Sequence, residues 1–207
     1  MREQLPFGGH HFFDRVVARR LMAFYQRIAE RRPEARAIVD MGCGPGHLAA
    51  ALAEAHPEAT VTGMDVDPAQ VRIARRNHPG TRFQVGSSDA TGLPAESADW
   101  VLATETYHHW SRPAEALAEI HRILRPGGRF WIVEGCGDMT KAELAAWTGR
   151  RPFPGLIFWV RLIFTRHGYR AAALQRDVVE RLEASPFGGC DVQREDGWWI
   201  VTATKAH

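Results

Sequence analysis

A short apolar strand, a turn with three glycines and a helix-forming run follow one another in residues 37–55. The predicted strand covers residues 37–39 and ends at Asp40, and the helix-forming run begins at Leu48. Glycine in the turn permits backbone dihedrals and a close approach of a ligand that a Cβ atom would prevent. This order of elements is how an α/β sheet presents the N–H groups of a helix N-terminus to a ligand. The sequence therefore predicts an α/β fold with its main binding site at this turn.

The carboxylate at the end of the strand distinguishes this turn from a dinucleotide-binding one. The third glycine comes one residue earlier than the G-x-G-x-x-G pattern requires. Asp40 stands two residues before the first glycine, where its charge would repel a pyrophosphate and attract a cationic amino group. S-adenosylmethionine has such an amino group and carries no phosphate. A nicotinamide-dependent reductase is therefore the weaker interpretation of the turn.

Residues 40–46, Asp-Met-Gly-Cys-Gly-Pro-Gly, resemble the first motif of the class I S-adenosylmethionine-dependent methyltransferases. The branch that they most resemble is the small-molecule one, typified by the ubiquinone and menaquinone biosynthesis methyltransferases. Further stretches match in the same order, so the resemblance covers residues 38–133. It implies a Rossmann-like, doubly wound seven-stranded sheet, mostly parallel, with an antiparallel C-terminal hairpin strand. It also implies methyl transfer from S-adenosylmethionine to a small-molecule acceptor by in-line displacement.

The resemblance also implies which residues hold the cofactor. Asp40 would meet the methionine amino group, and Asp89, after the third strand, would accept a hydrogen bond from the adenine amino group. Asp65 ends the second strand, 23 residues after the first glycine, where an acid in such folds binds the ribose hydroxyls. Asp67 precedes a proline and is interpreted as a helix cap instead. The predicted cofactor-binding residues are Asp40, Gly42, Gly44, Gly46, Asp65, Val66, Ser88, Asp89, Ala90 and Thr104.

The end of the fourth predicted strand supplies the candidate catalytic residues. Residues 98–104 are predicted to form a buried central strand, and Tyr107, His108 and His109 follow close behind its carboxyl end. Ligands bind at that end of the strands in open α/β sheets. A neutral imidazole can take the proton of an attacking hydroxyl, amine or thiol near physiological pH. We therefore predict that these three residues act as a general base or position the acceptor. The alternative is that one histidine caps the next helix and the other is packed.

The chain is predicted to fold as a single methyltransferase domain with four regions. These are an N-terminal helix or lid (1–34), the cofactor-binding core (35–134), a helical substrate cover (135–185) and the closing hairpin (186–207). An amphipathic helix is predicted over residues 11–32, and its start either covers the cofactor or packs on the sheet edge. The aromatic-rich residues 153–164 either cover the substrate, pack on the sheet or meet a second subunit.

Composition narrows the function classes further. The net charge is +2, from 26 basic and 24 acidic residues, which gives no electrostatic case for nucleic acid as a partner. Three widely spaced cysteines fit a reduced cytoplasm. We expect a cytoplasmic monomer or homodimer without a signal peptide, stable membrane insertion or a metal site. A relative without catalytic activity, which binds S-adenosylmethionine or S-adenosylhomocysteine as a regulatory ligand, is the alternative.

Overall fold

The computed structural model describes residues 19–31, 34–140, 142–143 and 168–207. The strands are β1 Ala37–Met41, β2 Thr60–Asp65, β3 Arg82–Val85, β4 Ala98–Thr104, β5 Leu124–Gly135, β6 Asp191–Glu195 and β7 Trp198–Thr204. The α-helices are α1 Arg19–Ala29, α2 His47–Ala55, α3 Pro68–Asn77, α4 Pro113–Ile123, α5 Ala171–Leu174 and α6 Glu180–Glu183. A π-helical turn, Gln175–Val179, joins α5 to α6, and a 3-10 helix, Tyr107–His109, follows β4.

The seven strands form one sheet in the order β3-β2-β1-β4-β5-β7-β6. The strands from β3 to β5 pair in parallel, whereas β7 runs antiparallel to both β5 and β6. The predicted seven-stranded, mostly parallel sheet with a C-terminal antiparallel hairpin is therefore confirmed. The strand order turns back between β1 and β4, which makes the carboxyl ends of these two strands the expected position of a ligand.

Both faces of the sheet are buried, because strands of a mostly parallel sheet are covered by helices on each side. One face packs against α1, α2 and α3, and the Phe24 ring of α1 stacks on Trp198 with ring centroids 4.3 Å apart. The other face packs against α4 and the helical segment 171–183, through Leu117, Leu174 and Leu182. The near-continuous apolar runs in β4 and β5 reflect this two-sided burial.

Two strand boundaries differ from the prediction. The apolar run of residues 129–133 predicts a fifth strand there, but β5 begins at Leu124, which pairs with Ala98 ahead of a register shift. The sequence predicts the sixth strand near residues 189–193, whereas β6 lies at Asp191–Glu195. Its pairing with β7 sets these bounds, and its exposed side chains carry little apolar pattern. Residues 195–197, Glu-Asp-Gly, predict a tight turn, and the structure confirms it between β6 and β7, with Asp196 and Gly197 both at positive φ.

Two predicted features lie outside the described residues. They are the start of the N-terminal helix with its lid segment, and the aromatic-rich residues 153–164. Of the predicted substrate cover, the described part is helical over residues 171–183. Among the helices in the described ranges, none has both the length and the apolar character needed to span a membrane.

Candidate active site at the strand ends

The glycine turn after β1 has the backbone geometry that its composition predicted. Gly42, Gly44 and Gly46 have φ angles of 73°, 50° and 87°, in the left-handed region that other residues avoid. The N–H groups of Gly42 and Cys43 donate to Met64 O at 2.7 and 2.8 Å and tie the turn to β2. Gly46 is the N-cap of α2 and makes no side-chain hydrogen bond, and within the first turn of that helix the Ala49 N–H donates to Asp40.

Two buried polar atoms lie at the ends of the neighbouring strands β1 and β4. Asp40 is 2% exposed and Thr104 is 9% exposed. Within the described part of the chain, neither Asp40 Oδ2 nor Thr104 Oγ1 has a hydrogen-bond partner. Burial, with a smaller contribution from the charge of Asp65, raises the pKa of Asp40 to about 7, against the opposing effect of the Ala49 N–H group. A buried polar atom without a partner costs about 1–3 kcal/mol, so the pair indicates a place for a polar, cationic ligand group.

Asp65 lies against the glycine turn, as its spacing predicted. Its Oδ2 accepts from Gly44 N at 2.9 Å, and its Oδ1 accepts from Asp67 N at 2.8 Å. Burial raises the pKa of this carboxyl, while the N–H groups of Asp67, Gly44 and Val66 oppose the shift. An ionised carboxylate has about four acceptor positions, so it can accept from a ligand hydroxyl in addition to these N–H groups. The next residue, Val66, is 69% exposed and offers an apolar surface beside them.

The helix-cap interpretation of Asp67 is confirmed. Its Oδ1 accepts from Ala69 N at 2.8 Å, and Pro68 occupies the start of α3. Although they stand two residues apart, Asp65 hydrogen-bonds the glycine turn, whereas Asp67 caps α3.

Asp89 lies in the loop after β3 with its carboxylate already engaged. It accepts a hydrogen bond from the Ser87 hydroxyl and forms an ion pair with Arg112. These two contacts hold the pKa of Asp89 below its usual value, with Ser87 as the larger cause. Ser88 lies inside the same turn and Ala90 closes it, by donating from its N–H to Ser87 O at 3.1 Å. An adenine amino group bound here would share the carboxylate with Arg112.

His108 is held by a buried glutamate at the end of β5. Its Nδ1 lies 2.7 Å from Glu134 Oε2, and Glu134 is fully buried. Because a carboxylate accepts, Nδ1 donates, and the basic lone pair of a neutral ring is then on Nε2. Burial lowers the pKa of His108, but the hydrogen bond from Glu134 and the charges of Glu134 and Glu105 outweigh it and raise the pKa above its usual value.

Glu105 joins the same group of side chains. It directly follows β4 with a φ of 54°, a strained conformation for glutamate that is typical of functional sites. Its Oε1 accepts from Gly135 N at 2.6 Å, one residue after Glu134. Burial and the charge of Glu134 raise the pKa of Glu105 well above its usual range, with His108 opposing. We call these residues the Glu105–Glu134–His108 cluster.

The cluster adjoins the glycine turn through Thr106. A Cβ atom placed on Gly42 would lie 2.1 Å from Thr106 Oγ1, so the Thr106 side chain packs directly against the backbone of Gly42. Tyr107 anchors the 3-10 helix from its other side, since its hydroxyl donates to Asp177 O at 3.1 Å. Burial raises the pKa of Tyr107 to about 12, which suits positioning rather than proton abstraction. His109 is exposed, and its ring centroid lies 4.0 Å from that of His108.

Reasoning from the sequence missed Glu105 and Glu134. The signal that could have found them is the one that singled out Asp40 and Asp65, namely an acid placed directly after an apolar strand. In a parallel sheet such positions meet at one edge, and here β4 and β5 pair with Thr104 opposite Val133.

This strand order, with a glycine turn after β1 and acids at the ends of β1 and β2, defines the class I S-adenosylmethionine-dependent methyltransferase fold. The chain matches the family model described as a methyltransferase domain over residues 39–132. Residues 39–132 therefore match a methyltransferase domain, and the fold is that of the class whose cofactor is S-adenosylmethionine.

The chain is also similar in sequence and in fold to individual methyltransferases. The chain is 36% identical over 130 residues to a demethylmenaquinone methyltransferase of Chlorobaculum parvum, covering 63% of this chain and 52% of the relative. It is 32% identical over 145 residues to a malonyl-[acyl-carrier protein] O-methyltransferase of Methylococcus capsulatus, covering 68% and 51%. A SAM-dependent methyltransferase from Aquifex aeolicus has the same fold, with a TM-score of 0.69 at 18% identity over 98% of this chain and 100% of that one. The chain spans about half the length of the curated relatives it matches.

Alanine substitutions at two glycines of the turn are expected to have different effects. A Cβ at Gly46 would lie 2.7 Å from the Phe83 ring and 2.9 Å from Ala74, whereas nothing lies within 4 Å of one at Gly44. We expect Gly46→Ala to lower the free energy of unfolding by about 2–4 kcal/mol, from clash and strain together. Gly44→Ala should cost about 1 kcal/mol of strain but weaken S-adenosylmethionine binding more than about tenfold, because the added methyl group would occupy open space at the predicted cofactor site. Urea denaturation measures the stability of the two variants, and calorimetry measures their affinity for S-adenosylmethionine. Equal losses of stability in the two variants would contradict the expected contrast.

The neighbouring acids Asp65 and Asp67 give a matched pair of variants. Asp65→Ala is expected to weaken S-adenosylmethionine binding by about tenfold or more, since a charge-assisted hydrogen bond is worth about 1.5–3 kcal/mol. Asp67→Ala should cost about 1 kcal/mol of stability through loss of the helix cap and leave the dissociation constant nearly unchanged. Calorimetric titration of both variants measures the difference. Unchanged affinity in Asp65→Ala would contradict the ribose assignment.

Proposed function

We propose that this protein transfers the methyl group of S-adenosylmethionine to a small-molecule acceptor. The observation that carries the proposal is the imidazole of His108, held by buried Glu134 beside the glycine turn. The names of the relatives support a small-molecule acceptor, but those names differ, so they do not decide which one. When bound, S-adenosylmethionine supplies a methyl group that its positively charged sulfur already activates for transfer.

The residues present fit this cofactor. We assign the buried Asp40 Oδ2 to the methionine ammonium group, and the glycine turn with Gly42, Gly44 and Gly46 to the methionine backbone. We assign Asp65 to the ribose hydroxyls and Asp89 to the adenine amino group. Val66, Ser88, Ala90 and Thr104 complete the proposed binding set. The buried atoms without partners, on Asp40 and Thr104, support this assignment because a ligand would satisfy them.

We assign the role of general base to His108. It would take the proton of the acceptor on Nε2, and the carboxylate of Glu134 would stabilise the imidazolium that forms. Tyr107 would position the 3-10 helix through its bond to Asp177 O, and His109 would be an exposed neighbour of the base. Holding the acceptor in line with the methyl group and excluding water is the remaining task of the site.

Calorimetric titration with S-adenosylmethionine, S-adenosylhomocysteine and NADH tests the cofactor. We expect micromolar binding of the first two ligands and none of NADH. Mass spectrometry of an acceptor mixture incubated with the loaded protein then tests the reaction, and a product one methyl group heavier is expected. Binding of NADH alone would contradict the proposal. Cofactor binding that never yields a methylated product would favour a regulatory binding protein.

The cell compartment and the partners also belong to the proposal. A cytoplasmic protein is supported by Cys43, Cys136 and Cys190, which are all free thiols. The near balance of acidic and basic residues supports a small molecule rather than nucleic acid as the partner. A monomer or a homodimer is expected, and sedimentation analysis distinguishes the two.

A further inference from the structure

We propose that Tyr25 of α1 binds the cofactor, and that its hydroxyl donates a hydrogen bond to the carboxylate of the methionine moiety. The inference rests on the proposed function and deepens it, because it adds a residue of the N-terminal helix to those at the strand ends. Its starting point is a buried hydroxyl that has no partner among the described residues and lies near two buried carboxyl groups.

The helix α1 is held against the C-terminal hairpin by two contacts. The Phe24 ring stacks on the Trp198 ring, with the centroids 4.3 Å apart and an interplanar angle of 11°. One turn later, Arg27 Nη1 lies 2.6 Å from Asp196 Oδ2. Together these contacts define which side of α1 faces the sheet, and Tyr25, the residue between them, is on the buried side.

Tyr25 lies near the carboxyl ends of β1 and β4. It directly follows the stacked phenylalanine and is 8% exposed. Trp198 pairs with Gly135 of β5, and Gly135 N donates to Glu105 Oε1 at 2.6 Å, so the stacked rings adjoin the residue that follows β4. Burial, and to a smaller extent the charges of Glu105 and Asp40, raise the pKa of Tyr25 above its usual value. The hydroxyl is therefore close enough to both carboxyl groups to be affected by their charges.

The hydroxyl of Tyr25 is available to a ligand. Within the described ranges, no residue forms a hydrogen bond with it, Asp40 and Glu105 included. Buried polar groups nearly always have a partner, and a ligand at the strand ends would supply one. Because its pKa is raised, the hydroxyl keeps its proton near neutral pH, whichever of the two carboxyl groups is ionised. It can therefore donate a hydrogen bond but is unsuited to act as a base.

The methionine moiety presents its two charged groups together. Its ammonium and carboxylate groups are bonded to the same carbon atom, so an ammonium group at Asp40 brings the carboxylate to the side chains around Asp40. An ionised carboxyl group of the protein only accepts hydrogen bonds, whereas a phenolic hydroxyl donates one without adding a charge. Tyr25 therefore has the chemistry that the carboxylate requires at this position.

The glycine turn itself has few donors left for that carboxylate. The N–H groups within residues 42–46 donate to oxygen atoms of the protein, namely Met64 O, Asp65 Oδ2 and Cys43 O. Pro45 has no N–H group. The glycines of the turn thus give the methionine moiety room to approach, and a donor for its carboxylate has to come from outside residues 42–46.

The test compares S-adenosylmethionine with its decarboxylated form, which keeps the ammonium group and lacks only the carboxylate. Calorimetric titration of both ligands into the unmodified protein and into Tyr25→Phe gives four dissociation constants. We expect Tyr25→Phe to bind S-adenosylmethionine at least about tenfold more weakly, because it loses a hydrogen bond to a charged group. Its affinity for the decarboxylated form should stay within about twofold of that of the unmodified protein.

Two further variants separate the carboxylate from the rest of the site. Tyr169→Phe removes a tyrosine hydroxyl on the other face of the sheet and should leave both dissociation constants within about twofold. Asp40→Asn should weaken the binding of both ligands, because both carry the ammonium group. Urea denaturation without ligand adds a second readout. Tyr25→Phe should be at least as stable as the unmodified protein, because the hydroxyl that it removes has no partner there.

Two outcomes would overturn the assignment of Tyr25. Equal losses of affinity for both ligands would mean that the hydroxyl acts on a part of the cofactor other than the carboxylate. Unchanged affinity together with a loss of stability in Tyr25→Phe would make the hydroxyl a structural group. An unmodified protein that binds neither ligand would instead contradict the proposed function itself.

Discussion

Replacement of His108 by asparagine is expected to lower kcat by about a hundredfold to ten-thousandfold, the usual contribution of a general base. Asparagine can still donate a hydrogen bond to Glu134, but it cannot accept a proton near neutral pH. The dissociation constant for S-adenosylmethionine should stay within about twofold, because its proposed contacts come from the ends of β1, β2 and β3. Single-turnover kinetics and calorimetry measure the two quantities separately. His109→Asn is the matched control, and a larger loss of kcat in that variant would assign the base to His109 instead.

The pH dependence of the reaction should report the same residue. If His108 is the general base, as proposed, its neutral imidazole is the active form, and kcat/KM should rise with pH through the pKa of His108. Its midpoint should lie above the ordinary value of 6.5, since Glu134 and Glu105 raise that pKa. The same shift stabilises the fold below the unfolded-state pKa of histidine, and this stabilisation is lost as pH rises through the folded-state value. A midpoint below 6.5 would contradict the arrangement of charges around the ring.

Much of the fold could be predicted because local patterns determine it. The glycines of the turn, the apolar run of β4 and the Asp-Gly turn before β7 each require a particular backbone geometry where they occur. The early start of β5 could not be predicted, since Leu124 joins the sheet by pairing with Ala98, far away in the sequence. The bounds of β6 likewise depend on its pairing with β7, and its own exposed side chains show no apolar alternation.

Some residues of the candidate site can likewise be located from local patterns in the sequence, whereas others cannot. Asp65 could be located near the glycine turn, because strand ends in a parallel sheet meet at one edge. The cluster around His108 depends on the register that places Thr104 opposite Val133 and so brings two later acids side by side. The ion pair between Asp89 and Arg112 depends equally on tertiary packing, since the two residues stand in separate loops. A pattern in one segment cannot reveal contacts of this kind.

The stability of the protein is expected to depend strongly on pH through Asp40, whose carboxyl is buried with a pKa raised to about 7. In the unfolded chain the same group has a pKa of about 3.9. The folded protein therefore holds a proton that the unfolded chain has lost, and its stability falls as pH rises from about 4 to about 7. By pH 8 the difference amounts to at most about 4 kcal/mol, at 1.36 kcal/mol per pKa unit. The Asp40→Asn variant should recover much of this lost free energy of unfolding. Urea denaturation of both proteins at pH 5 and pH 8 measures the difference.

Binding of S-adenosylmethionine should favour the ionised form of the Asp40 carboxyl over the protonated form. An ammonium group beside Oδ2 favours the carboxylate, so binding at pH 6 should release up to about 0.9 proton, the share that a pKa of about 7 leaves protonated. Calorimetry in two buffers of different ionisation enthalpy measures this number, and at pH 6 the cofactor amino group is already charged. The Asp40→Asn variant should release almost no proton on binding. It should bind S-adenosylmethionine about 10- to 100-fold more weakly, because it loses a charge-assisted hydrogen bond. Equal proton release by both proteins would mean that the ammonium group lies elsewhere, and that the buried acid at the end of β1 is a structural residue alone.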